Sequence, residues 1–253
     1  VAARTDHGER AESAAEVDGT APAPRRRGSR GRIAMAVSVF GELLITAGLV
    51  LGLFVAYSLW WTNVVADRAA NQQGDKVRDN WAQDKGGPGA LDTKDGIGFL
   101  HVPAMNNGEI LVEKGTSTEA LNDGVAGYYT DPVKATLPTT GDNGNFTLAA
   151  HRDGHGAKFH NIHKLKKGDP IVFETKDKWY VYKVYEILPE TSKYNVKVLQ
   201  SVPEQSGKKK PGHYITLTTC TPVYTSRSRY VVWGELERVD KVDSERTPPK
   251  ELG

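Results

Sequence analysis

The hydrophobic pattern of this chain changes character twice. Residues 1–31 carry no aromatic residue and are rich in Ala, Glu, Arg, Gly and Pro. Such a segment has too little apolar surface to offset the entropy of ordering it, and a disordered tail is expected there. Residues 33–61, "IAMAVSVFGELLITAGLVLGLFVAYSLWW", are then almost continuously apolar, with Glu42 the one charged residue. A bilayer span needs roughly 20 such residues, so a transmembrane anchor is expected over 32–61. Arg25, Arg26, Arg27, Arg30 and Arg32 precede it and few basic residues follow directly. That asymmetry puts the tail in the cytoplasm and everything after Trp61 outside, with Trp60 and Trp61 at the outer interface. The run is too long for the core of a cleaved signal peptide, and no small-x-small site closes it.

Beyond the anchor, residues 62–92 are polar with weak helical spacing and end in a Gly-Gly-Pro-Gly breaker at Gly86 to Gly89. They read as an extracytoplasmic stalk or linker. A folded domain is expected over 93–240, and a flexible tail over 241–253. Inside the domain the apolar runs are short and β-rich. Residues 96–105 and 108–115 read as a first strand pair, and "STEALNDGVAGYY" as a short helix with Thr116 or Ser117 as its N-cap. Residues 145–151 form a strand. In 157–165, Phe159, Ile162 and Leu165 face inward from a helical turn. A hairpin follows over 169–188, in which Trp179, Val181, Lys183 and Tyr185 alternate against Tyr180, Tyr182 and Val184. Residues 194–199 add a short element, and 213–219 and 229–239 supply the last strands. Six to eight strands with little helix give an all-β domain, one closed or half-closed β-barrel. About 150 residues suffice for one core without disulfides.

Composition narrows the function. The net charge is +2, and no basic-aromatic stripe supports nucleic-acid binding. Lys208, Lys209 and Lys210 read as a solvated loop tip. The chain holds one cysteine, Cys220, so it forms no internal disulfide. Outside the cytoplasm a lone thiol risks oxidation, which leaves two readings: an inert core residue or a nucleophile.

A cysteine nucleophile needs a base or cation beside it. His151 closes the strand "FTLAA", and Cys220 closes the strand "YITLTT"; two reactive groups at two strand ends can share one rim of a barrel. If 214–219 and 230–236 pair as a hairpin, Arg229 faces Cys220 across the loop's base, where its guanidinium can donate to an oxyanion or carbonyl. Arg227 has the same parity and is the second choice. A metal site built from His151, His155, His160 and His163 is the rival chemistry. Their spacing is not a recurrent zinc signature, and neither a carboxylate nor a second cysteine sits at a helpful interval. No cofactor or metal is expected.

"TLTTC", an arginine nine residues on, "YVVWG" and the upstream "NFTLAAHR" together resemble the sortases, membrane-anchored cysteine transpeptidases of Gram-positive bacteria. "GFLHVPAM" and "KLKKGDPIVFET" are similar to further family segments, so the likeness spans about 93–238. It implies an eight-stranded β-barrel, with Cys220 as nucleophile, His151 as general acid/base and Arg229 steadying substrate and tetrahedral intermediate. "CTP" and "GYY" look most like class E, the housekeeping enzymes that prefer LAXTG to LPXTG signals. The implied partners are secreted proteins bearing such a signal and the amine of a cell-wall (peptidoglycan) precursor. Thr219, Thr221 and Tyr129 are the implied substrate-binding residues. Tyr129 matches the second position of a family "HY" pair, and Tyr128 departs from it. L,D-transpeptidases share the Cys/His pairing, but "TLTTCTP" lacks their "SxGCxR" context. A membrane-tethered binding module with an incidental cysteine is the non-enzymatic alternative.

Overall fold

The computed structural model describes residues 30–83, 96–106 and 108–253. Nearly all of the expected disordered tail, and the Gly86–Gly89 boundary, lie outside the described residues. Two compact units are distinguished, Val1–Leu51 and Gly52–Gly253. Helix α1, Arg30–Ala82, runs 53 residues and contributes to both. Its first part exposes apolar side chains such as Ile33, Phe40 and Leu51 and includes an 18-residue window of mean hydropathy 2.2, none of it buried. By length and composition that segment can cross a membrane.

The second part of α1 corrects the expected stalk. Ala66, Ala70 and Val77 recur on one face at helical spacing and are buried. Ala70 and Val77 pack with Phe99, Leu111 and Val125, and Trp81 lies edge-on to Phe99. The apolar face is narrow and half alanine, so polar residues dominate the sequence even though the helix is docked.

Eight strands among the described residues close a barrel: β1 Gly98–His101, β2 Glu109–Lys114, β3 Ala126–Tyr128, β4 Gly144–Ala149, β5 Pro170–Glu174, β6 Lys178–Ser192, β7 His213–Thr221 and β8 Ser228–Lys241. The order around the barrel is β1-β2-β3-β4-β7-β8-β6-β5. Two pairs are parallel, β2 with β3 and β4 with β7; the others are antiparallel. Parallel neighbours need a crossover, and the β2–β3 crossover contains helix α2, Thr118–Leu121, capped by the Ser117 side chain. That capped helix is the one the sequence led us to expect, but it is a single turn, and β3 follows where the helix was read on.

Alternation decides what fills the barrel. Phe146 and Leu148 of β4, Tyr180, Tyr182 and Val184 of β6, and Ile215 and Leu217 of β7 point inward to one cluster. Phe159, Ile162 and Leu165 join it as expected. Each large side chain fully buried there contributes about 1.5–3 kcal/mol. Outward residues are covered in separate patches. Val198 and Leu199 pack on Val231 and Trp233, whose indole N–H donates to the Val198 carbonyl at 3.1 Å.

The expected loose tail is a correction too. Val242 and Leu252 pack on Val172, Trp179 and Val181. Arg238 grips Glu251 with both terminal nitrogens, and Arg246 reaches the buried Glu174 at 2.6 Å. Glu174 also accepts from Arg78 of α1 at 3.0 Å and bonds His101 at 2.8 Å. One carboxylate thus ties the second part of α1 and the C-terminal tail to the barrel.

Candidate active site

Strand register sets the site. In the parallel pair, Ala149 of β4 is level with Thr218 of β7, and the Ala150 N–H still donates to the Thr218 carbonyl. Two residues further on, His151 leaves β4 at the level of Cys220. In the antiparallel pair, Cys220 is the direct partner of Arg229. Neighbouring strands lie about 4.8 Å apart, so the three Cα atoms span about 10 Å.

Parity puts the three on one face. Phe146, Leu148, Ile215, Leu217 and Val232 point into the barrel, so His151, Cys220 and Arg229, each one step out of phase with those residues, leave the outer wall. The site is therefore a groove on the outside of the β4-β7-β8 wall rather than a mouth opening into the interior. Its volume is about 530 Å³, and its lining includes Tyr129, His151, Thr219, Cys220 and Arg229. Five of the six expected site residues thus meet. Thr221 is not among the lining residues; it takes the opposite parity and pairs with Ser228. Arg227 is exposed in the loop and also lies off the groove.

The groove's walls hold what the sequence did not reveal. Asp131 and Pro132 come from the insertion after β3, and Ser192, Asn195, Val196 and Val198 from the end of β6 and the segment beyond it. Asn122, the C-cap of α2, places its Oδ1 2.9 Å from Nε2 of His151. With that oxygen as acceptor, Nε2 carries the proton and Nδ1 is left as the free lone pair. Arg152, buried next to His151, stacks on Tyr230 at 5.6 Å and donates to the Cys220 carbonyl at 3.4 Å.

Burial and charge tune these groups. Burial holds the His151 pKa below 6.5; neighbouring His155 lowers it further, and Asp153 opposes both. The two imidazole centroids are 5.7 Å apart. Burial pushes the Tyr129 phenol up, against a hydrogen bond to Thr218 and the charge of Arg229. Thr218 spends its hydroxyl proton on the Leu148 carbonyl, so Tyr129 is the donor in its 3.0 Å bond to Thr218. Arg229 donates through Nη1 to the carbonyls of Ser226 and Ser228 at 3.2 and 3.1 Å. Its Nε and Nη2 have no protein partner among the described residues. Of the histidine quartet, His160 and His163 turn Nδ1 to the carbonyls of Arg152 and His160.

Known proteins resemble this chain in sequence and in fold. A family model described as "Sortase domain" matches residues 100–237. The chain is 73% identical to sortase SrtE2 of Streptomyces coelicolor over 255 residues, covering 98% of this chain and 97% of that protein. It is 47% identical to sortase SrtE1 of the same organism, across 81% of this chain and 58% of that one. The solved structure of S. coelicolor sortase E1 with a tripeptide in its active site aligns with a TM-score of 0.58 at 44% identity, covering 66% of this chain and 99% of the other. Sortase E from Streptomyces avermitilis aligns with a TM-score of 0.54 at 33% identity, over 62% and 97%.

Proposed function

This chain belongs to the sortase family of cysteine transpeptidases, and from that premise we propose that Cys220, His151 and Arg229 cut an LAXTG-type sorting signal between Thr and Gly. The observation that carries the proposal is their common level on one outer face of β4, β7 and β8, along one groove. Nδ1 of His151 takes the Cys220 thiol proton as the sulfur attacks the threonine carbonyl, and the unpartnered donors of Arg229 stabilise the oxyanion that forms. His151 passes a proton to the departing glycine nitrogen as the C–N bond breaks, leaving a thioester on Cys220. The amine of a cell-wall precursor then attacks the thioester; a new amide forms, the sulfur leaves, and His151 takes up the amine's proton. Splitting the exchange in this way replaces one hard step with two easier ones.

The apolar run over 32–61 anchors the chain as a single span, with the arginine cluster on the cytoplasmic side and the barrel outside. Preference for LAXTG over LPXTG rests on the class E likeness. The test presents both peptides to the full chain in detergent with an amine acceptor. We expect LAXTG to be turned over faster and Cys220→Ala to abolish transfer. Retained transfer in that variant overturns the assignment.

A further inference from the structure

One face of α1 touches both turns that flank His151. The Asn63 side chain accepts a hydrogen bond from the Gly156 N–H at 2.9 Å. Asp67 takes the ammonium of Lys158 at 2.8 Å, and that lysine side chain is only 11% exposed. Between them Ala66 is pressed onto Gly124. A Cβ on Gly124 would stand 2.9 Å from the Ala66 carbonyl oxygen, and the residue's φ of +73° is itself a glycine conformation. Gly156 shares the same knot: a Cβ there would lie 3.1 Å from the Gly124 Cα and 3.2 Å from Asp67 Oδ1.

These contacts lead directly to the imidazole. Gly124 closes the turn after α2, its N–H bonded to the Leu121 carbonyl, and Asn122 in that turn holds Nε2 of His151. Gly156 and Lys158 belong to the turn that leaves His151, and the Phe159 N–H returns to the His151 carbonyl at 3.0 Å. The helix is also seated elsewhere, by Ala70, Val77 and Arg78. Its residues also lie outside the stretch, 100–237, that the sortase model matches.

We propose that Asn63, Ala66 and Asp67 of the helix leading into the barrel are positioning residues for His151, fixing the Asn122 turn and the 154–158 turn around it. This rests on His151 being the acid/base of the reaction. The same continuous helix carries the apolar run of residues 33–61, so the element that suits a membrane also sets the geometry of catalysis.

The test uses the full chain in phospholipid nanodiscs, an LAXTG peptide and triglycine as acceptor. Asn63→Ala removes the acceptor for Gly156; Ala66→Leu drives a wedge under Gly124. Each is expected to lower kcat about ten- to a hundredfold, the scale of a catalytic group misplaced by about an ångström, with KM within about twofold of the parent. Hydrogen exchange should quicken in 122–124 and 152–158. Asn63→Asp, which keeps the acceptor, should restore kcat, and Gln72→Ala on the exposed face should change nothing. An unimpaired Asn63→Ala enzyme overturns the proposal, and so does a loss that Asn63→Asp fails to rescue. If His151→Ala itself retains full turnover, the acid/base assignment falls and the brace falls with it. If His151→Ala is inactive while Asn63→Ala is normal, the brace alone is refuted.

Discussion

Glu174 offers the most quantitative test of how the second part of α1 and the C-terminal tail are held. Its carboxylate is buried and bonded to His101, Arg78 and Arg246. Burial works against its charge, but those three partners outweigh it and bring its pKa from 4.5 down to about 2. Holding it that low corresponds to about 3 kcal/mol of stability carried by the ionised form. Because the folded pKa lies below the unfolded one, that contribution is complete above pH 4.5 and disappears as the pH falls toward 2. Glu174→Gln keeps the shape, removes the charge and leaves Arg246 without its carboxylate. For a unit of this size, about 3 kcal/mol translates into a melting temperature lowered by roughly 6–12 °C at pH 7. Thermal melts of parent and variant, followed by near-UV circular dichroism in detergent, should show that gap at pH 7. The gap should shrink by more than half at about pH 3, where much of the parent's advantage has titrated away. A variant melting within about 2 °C of the parent at pH 7, or a gap unchanged at pH 3, refutes the reasoning.

Other expectations concern the groove. The His151 ring, followed by NMR, should titrate below 6.5, and His155→Gln should move its midpoint upward by removing a neighbouring positive charge; an unchanged or lower midpoint contradicts the stated cause. Asn122→Ala removes one hydrogen bond from His151 and should reduce kcat about five- to tenfold, near 1 kcal/mol, with KM little changed; a rise in KM alone would point to substrate contact instead. Gly124→Ala forces a Cβ against the Ala66 carbonyl in a left-handed backbone. It should destabilise the fold by about 1–3 kcal/mol in denaturant titration, and a neutral result would mean that the helix stands off the turn.

The opposition of Cys220 and Arg229 was legible because both flank one hairpin loop, where pairing is local and counts out in sequence. His151 was legible as a strand-final residue, but its place beside Cys220 depends on a parallel β4–β7 pair whose strands are some sixty residues apart in the chain. The rim expected from the strand ends does not say which face carries the groove, since alternation marks two faces and does not say which is interior until the sheet closes. β3 has only Ala-Gly-Tyr to show, too short for a period-two signal. Asn122 was invisible for a different reason: its partner is remote in sequence, and a cap asparagine carries no mark of what its side chain holds. The docked helix and the packed tail were misread because their buried residues are few, small or widely spaced. Charged groups such as Arg78, Arg238 and Arg246, which look solvated in sequence, do much of the fastening.

The most direct measurement is the intact mass of the parent chain after mixing with an LAXTG peptide and no amine acceptor. A single adduct equal to the peptide up to its threonine should appear, map to Cys220, and discharge when triglycine is added. In His151→Ala and Arg229→Ala the adduct should form at least about a hundredfold more slowly. Adduct formation at the parent rate in either variant, or peptide cleavage with no mass added to Cys220, contradicts the convergence of the three side chains on one carbonyl.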